Sequence, residues 1–155
     1  MFKKIVTGIA LLALSTSPLL GKDQSDIQSP TYLYLLTHSE VNCLAKTIYH
    51  EARGEQVNGQ QAVALVTVNR ALHPKFPSGI CKVVYQKAQY SWTSMGVKVL
   101  DKEAWERAKD IAYHTLNNYD ELKSFKALYF HATHVSPNWK KRRIAKIGNH
   151  IFYAQ

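Results

Sequence analysis

The residues best suited to chemistry lie in the stretch Lys46-Thr47-Ile48-Tyr49-His50-Glu51-Ala52-Arg53-Gly54-Glu55, which carries one carboxylate, Glu51, at the end of an apolar stripe. A carboxyl group serves as a general acid near neutral pH when its surroundings raise its pKa. Leu44, Ile48 and Ala52, with Ala45 beside them, recur at three and four residues and predict a helix with one buried face. Gly54 is expected to stop that helix by taking the left-handed conformation. Glu51 then falls in the last turn, where the negative end of the helix dipole disfavours the ionised form. A solvated surface glutamate fits the same local spacing, so other parts of the chain must discriminate.

Competing chemistries are less well served. His50-Glu51 invites comparison with the helical zinc motif of two histidines four residues apart, but Gly54 occupies the required position. His131, His134 and His150 could supply ligands only if they converge, which a strand at His131 would not ensure. No glycine-rich phosphate loop is present. No metal or cofactor is therefore expected. Two-carboxylate glycoside cleavage needs a second acid at a defined separation. Glu55 is the nearest, but Gly54 is expected to redirect the chain before it, and Asp101, Glu103, Glu106 and Asp110 cluster elsewhere. One catalytic carboxylate is better supported than two.

The chain has 155 residues and a formal net charge of +9, which fits one domain. Lys3 and Lys4 precede the apolar run Ile5 to Leu14, then Ser15, Thr16, Ser17, Pro18 and Gly21, the layout of a signal peptide over 1–21. An uncleaved membrane anchor through residues 5–14 is the alternative. Export to the periplasm, cell wall or extracellular space is the expectation. Excess Lys and Arg suits a polyanionic partner; nucleic acid is the default, but an exported protein meets anionic wall polymers such as peptidoglycan instead. Cys43 and Cys81 could form one disulfide or remain two buried thiols, and the sequence leaves both open.

The elements that must position Glu51 follow in order. Residues 22–37 read as a linker and short packing segment, and 38–155 as the functional domain. Ser39 is the expected N-cap of the first helix, which runs to about Arg53. Asn58 with Gln61 suggests a capping box for a nearly buried second helix, whose end brings Asn69 and Arg70 towards the Glu51 cleft; plain C-terminal polarity explains them equally. Ile80 to Tyr85 is a short helix or strand. Gln86-Lys87-Ala88-Gln89-Tyr90-Ser91-Trp92-Thr93 then lacks periodicity and mixes aromatic with hydrogen-bonding side chains, which suits sugar rings. An ordinary loop pinned by buried aromatics would look the same. Asp101 caps a third helix, Lys102 to about Leu116, with Trp105, Ala108, Ala112 and Leu116 on its buried stripe. Ala127 to His131 and Ile147 to Tyr153 read as two antiparallel strands, joined through Pro137, Trp139 and the run Lys140-Lys141-Arg142-Arg143.

These residues resemble a known family. Ile48 to Glu55, Gly59-Gln60-Gln61-Ala62-Val63-Ala64, Val68-Asn69-Arg70, Phe76-Pro77, Ile80 to Gln86, Tyr129-Phe130 and Lys146 to Tyr153 are similar, in matching order, to the SleB-type cell wall hydrolases, the spore cortex-lytic enzymes. The resemblance implies an α+β, mainly α, lysozyme-like catalytic domain with a small antiparallel β element, and peptidoglycan as partner and substrate. It also implies Glu51 as the catalytic acid, cleavage between N-acetylmuramic acid and N-acetylglucosamine, and a lytic transglycosylase outcome. Candidate substrate-binding residues are Glu55, Asn69, Gln86 and Tyr90. Trp92, Tyr129, Trp139 and His150 complete that set. His50 departs from the family, which commonly has glycine or another small residue there. An N-acetylmuramoyl-L-alanine amidase using the histidines, or a non-catalytic basic wall-binding module, are the alternatives.

Overall fold

A helix with almost no polar side organises the structure. In the computed structural model, which describes residues 37–155, helix α2 (Val57–Ala71) buries 12 of its 15 residues. Such a helix must be covered all round. Helix α1 (His38–Ala52), the short α3 (Ile80–Val84) and α5 (Lys102–Asn117) cover one side, sharing a core of Leu44, Ile48, Val68, Ile80, Val83, Ala108 and Leu116. A three-stranded antiparallel sheet covers the other, packing Phe152 and Ala127 on Ala62, Val63 and Val66. One-turn helices α4 (Trp92–Met95) and α6 (Tyr119–Leu122) complete the chain.

The sheet has order β1-β3-β2, with β1 at Tyr129–Ala132, β2 at Arg143–Ile147 and β3 at His150–Tyr153. The expected pair of strands is thus a trio. The end of the basic run, with Ile144 to Ile147, forms β2, an edge strand with a bulge between Arg143 and Ala145, and Gly148-Asn149 turns it into β3. Charged residues and bulges are how edge strands avoid further pairing, and they also hide the strand from a hydrophobicity reading. In β1 and β3, Phe130 and Phe152 point to the core while Tyr129, His131 and Tyr153 share the opposite face, as period-two alternation requires.

The caps differ from expectation in two helices. Thr37, not Ser39, caps α1, its side chain accepting from the Glu40 amide. Gln56, not Asn58, is the α2 N-cap and makes no side-chain cap bond; the Asn58 side chain accepts from its neighbour Gly59 instead. Asp101 caps α5 through Ala104 N–H at 3.0 Å, as its sequence indicates. Cys43 and Cys81 form a disulfide that ties α1 to α3. The buried Glu40 carboxylate accepts from the Cys81 amide at 2.8 Å, so α1 and α3 are joined twice. The segment expected as signal peptide, 1–21, and the expected linker, 22–37, apart from Thr37, lie outside the described residues. Among the described residues, no helix is long and apolar enough to cross a membrane.

Candidate active site

Glu51 lies in the last turn of α1, where the periodicity of that helix places it. The helix does not end on a left-handed glycine, however: Gly54 has no positive φ, and Arg53 continues the right-handed geometry as C-cap. The Glu51 side chain turns inward to the start of α4, where Trp92 Nε1–H donates to Oε1 at 2.8 Å. Burial pushes the Glu51 pKa up, and this bond to the carboxylate opposes the rise. The sequence pointed to the right direction, with the helix dipole as cause; desolvation is the dominant cause.

Trp92 and Tyr90 belong to the aromatic stretch singled out for sugar stacking, but both are buried. Tyr90 meets Thr67 of α2 across a 3.4 Å hydroxyl contact, and its ring stacks on Trp92 at 5.6 Å and 18°. On α1, His50 stacks on Trp92 at 4.5 Å and 25°. The stretch therefore works inward, presenting an indole N–H to the acid. Gln86 is exposed on the turn after α3, beyond this cluster.

Glu55 is brought to the sheet rather than to Glu51. Its Oε2 accepts from the Asn149 amide at 3.2 Å, and Oε1 lies 4.0 Å from His150 Nδ1. Both side chains are nearly enclosed, 11% and 8% exposed. Burial lowers the His150 pKa against the pull of Glu55, which disfavours the charged imidazolium there. Gly148 takes φ +55°, and a Cβ there would run into the Glu55 carboxylate. Glu55 thus fastens the end of α1 to the β2–β3 turn.

Asn69 is likewise engaged. It donates to the Phe125 and Ala127 carbonyls at 2.7 and 2.9 Å and accepts from Tyr119 O–H at 2.9 Å. A pocket of about 390 Å³ beside it is lined by Leu72, His73, Tyr119 and Leu128, but not by Glu51. Arg70, next along α2, donates to the Leu128 carbonyl and packs its guanidinium on Phe76 and Tyr129, at 5.1 and 5.3 Å from the ring centres. It has no carboxylate partner among the described residues, and burial pulls its pKa down.

Tyr129 and Trp139 meet on the outer face of the sheet. Trp139, 40% exposed, packs against the rings of Tyr129, His131 and Tyr153, and Lys141 Nζ sits 3.7 Å from the Tyr129 ring centre. His131 is held by Tyr153 on this face, whereas His150 points to the other, beside Phe130. His134 is exposed. The three histidines do not converge, and among the described residues no group of three or more His, Cys, Asp or Glu is placed to hold a metal ion. The residues that sequence reasoning missed are His50 and Glu40 as structural partners; their contacts join positions some forty residues apart, which no local spacing reveals.

Comparison with known proteins gives a consistent result. A family model described as Cell Wall Hydrolase matches residues 54–153. The spore cortex-lytic enzyme of Bacillus subtilis (strain 168) is 32% identical over 119 residues, covering 75% of this chain and 38% of that protein. That of Oceanobacillus iheyensis is 27% identical over 139 residues, covering 85% and 48%. The chain therefore spans less than half the length of these curated relatives. Among solved structures, the catalytic domain of the Bacillus cereus SleB protein superposes with a TM-score of 0.63 at 28% identity, covering 76% of this chain and 91% of that one. The catalytic domain of the germination-specific lytic transglycosylase SleB from Bacillus anthracis gives the same TM-score and identity, with 76% and 95% covered. The mainly helical, lysozyme-like α+β architecture is thus shared with these domains.

Proposed function

Because the chain belongs to the cell wall hydrolase family, we propose that it acts on peptidoglycan outside the cytoplasm, cutting the glycan strand between N-acetylmuramic acid and N-acetylglucosamine with Glu51 as the acid. The observation that carries this reading is a carboxyl group raised in pKa by burial, oriented by one indole N–H and, among the described residues, without a second free carboxylate beside it. Glu55, the only nearby alternative in the motif, is committed to the β2–β3 turn.

A single carboxyl group suffices for a lytic transglycosylase. Protonated Glu51 gives its proton to the glycosidic oxygen as the C1–O bond breaks and positive charge develops on the muramic acid C1. The resulting carboxylate then takes the proton from the sugar's own C6 hydroxyl as that oxygen bonds to C1. The product is a 1,6-anhydro end, and the enzyme regains its proton. Proton transfer of this kind contributes about a hundred- to ten-thousand-fold. The outer sheet face at Tyr129 and Trp139 is the best candidate for sugar stacking, since its indole is exposed while Tyr90 and Trp92 are enclosed. Export through residues 1–21 fits the same reading.

Mass spectrometry of the products released from purified sacculi tests it. Anhydro-muramic ends support the proposal, reducing ends indicate a muramidase, and freed stem peptides an amidase.

A further inference from the structure

His50 has an unusual set of contacts for a residue beside a catalytic acid. Its ring packs on two others: Trp92, stacked at 4.5 Å and 25°, and Tyr49, edge-on at 5.0 Å. Neither ring nitrogen makes a hydrogen bond among the described residues. A histidine serving as acid, base or ligand would need one of those nitrogens aimed at a partner; this one offers its face to an indole. That indole is the group that donates to Glu51 Oε1 at 2.8 Å.

The geometry gives the stack a task. An indole in a four-residue helix is held by little of its own backbone, because a single turn is unstable without packing. Tyr90, buried and in contact with Thr67 of α2, supplies one stacked ring. His50 supplies a second ring from α1, the helix that carries Glu51. Acid and indole are thereby referenced to the same helix, so the direction of Trp92 Nε1–H follows Glu51 if α1 shifts. We propose that His50 is a positioning residue that holds the Trp92 indole in the orientation that serves the Glu51 carboxylate. The inference rests on the reading of Glu51 as the acid.

Other charged and titratable groups near His50 and the Tyr90–Trp92 pair are the alternatives that a test must separate. On α1 they are Lys46 and Arg53, whose charges, after burial, lower the His50 pKa. From the loop before α4 comes Tyr90, and from α2 comes Arg70, which acts on Tyr90. The His50 variants leave each of these side chains in place.

The variants Trp92→Phe, His50→Ala and His50→Phe distinguish the roles. Trp92→Phe keeps a ring but removes the N–H, so the Glu51 carboxylate loses its donor and its titration midpoint, read by carboxyl-carbon NMR, moves up by about one pH unit. His50→Ala moves it the same way by a smaller amount and lowers kcat about tenfold with little change in KM, as a misplaced group would. His50→Phe restores both, because stacking requires a ring and not a proton. A Glu51 midpoint and kcat unchanged in folded His50→Ala, with only thermal stability altered, would overturn the proposal. So would His50→Phe behaving like His50→Ala, since the imidazole nitrogens would then be at work. The NMR titration reads the proton affinity of Glu51 whether or not it is the acid, so failure here is distinguishable from failure of the catalytic assignment, which product analysis decides.

Discussion

At the scale of single residues, the structure gives Glu51 a stability signature as well as a chemical one. A group whose folded pKa lies above its unfolded value contributes stability that is fully present below the unfolded value, about 4.3 for glutamate, and lost as pH rises through the folded one. At pH values above its raised folded pKa the partly buried carboxylate is therefore a destabilising group. Glu51→Gln keeps an oxygen for Trp92 Nε1–H and removes the charge. Its melting temperature should equal or exceed that of the wild type at pH 7, and the difference should shrink as pH falls through the raised folded pKa and be gone below about 4.3. Thermal melts across pH check this; a Glu51→Gln protein less stable at neutral than at acid pH, relative to wild type, would contradict the assignment of burial as the cause. His150 runs the other way. Its lowered pKa means that protonation favours the unfolded chain, so its contribution is lost as pH falls below about 6.5.

At the scale of elements, the β2–β3 turn and the end of α1 act as one joint. Gly148 adopts φ +55°, where a Cβ costs about 1–2 kcal/mol, and that Cβ would also displace the Glu55 carboxylate from Asn149. Gly148→Ala should lower stability by at least that amount, read as a reduced urea midpoint at constant m-value. Gly54→Ala is the contrast: its Cβ would meet open space and no left-handed φ, so the change should be neutral or slightly stabilising. These two glycines also mark what the sequence could convey. The helix carrying Glu51 was legible because its buried stripe has one strong period. Its stop was misread, because a glycine after the last apolar position does not by itself fix a left-handed cap. Strand β2 was hidden because Arg143 and Lys146 on an exposed edge look like a solvated run. The aromatic stretch was legible as a candidate, but its inward role depends on Trp92 meeting Glu51 41 residues away. Asn69 was placed correctly at the end of α2, yet three hydrogen bonds to the 119–127 segment, which no spacing encodes, engage its side chain there.

At the scale of the whole molecule, charge is segregated. Residues 124–155, which include the entire sheet, carry Lys126, Lys140, Lys141, Arg142, Arg143 and Lys146 and no Asp or Glu, whereas the acids of the described chain lie on α1, α5, α6 and the loop at Glu55. Such a surface attracts polyanions, and its pull is screened by salt. Binding to purified sacculi, measured by sedimentation, should weaken steadily towards about 1 M salt, where the screening length is about 3 Å. The combined variant Lys140→Gln, Arg142→Gln, Arg143→Gln and Lys146→Gln should lose most of the salt-sensitive part while melting near the wild-type temperature, because exposed charges contribute little to stability. Salt-sensitive binding retained in full by that variant would move the docking surface elsewhere. The central proposal is that Glu51 alone performs both proton transfers. Its decisive measurement is mass spectrometry of muropeptides released from sacculi by the wild type and by folded Glu51→Gln. The expected result is 1,6-anhydro-muramic ends from the wild type and no release above background from the variant; reducing ends from the wild type, or anhydro ends still formed by Glu51→Gln, would contradict it.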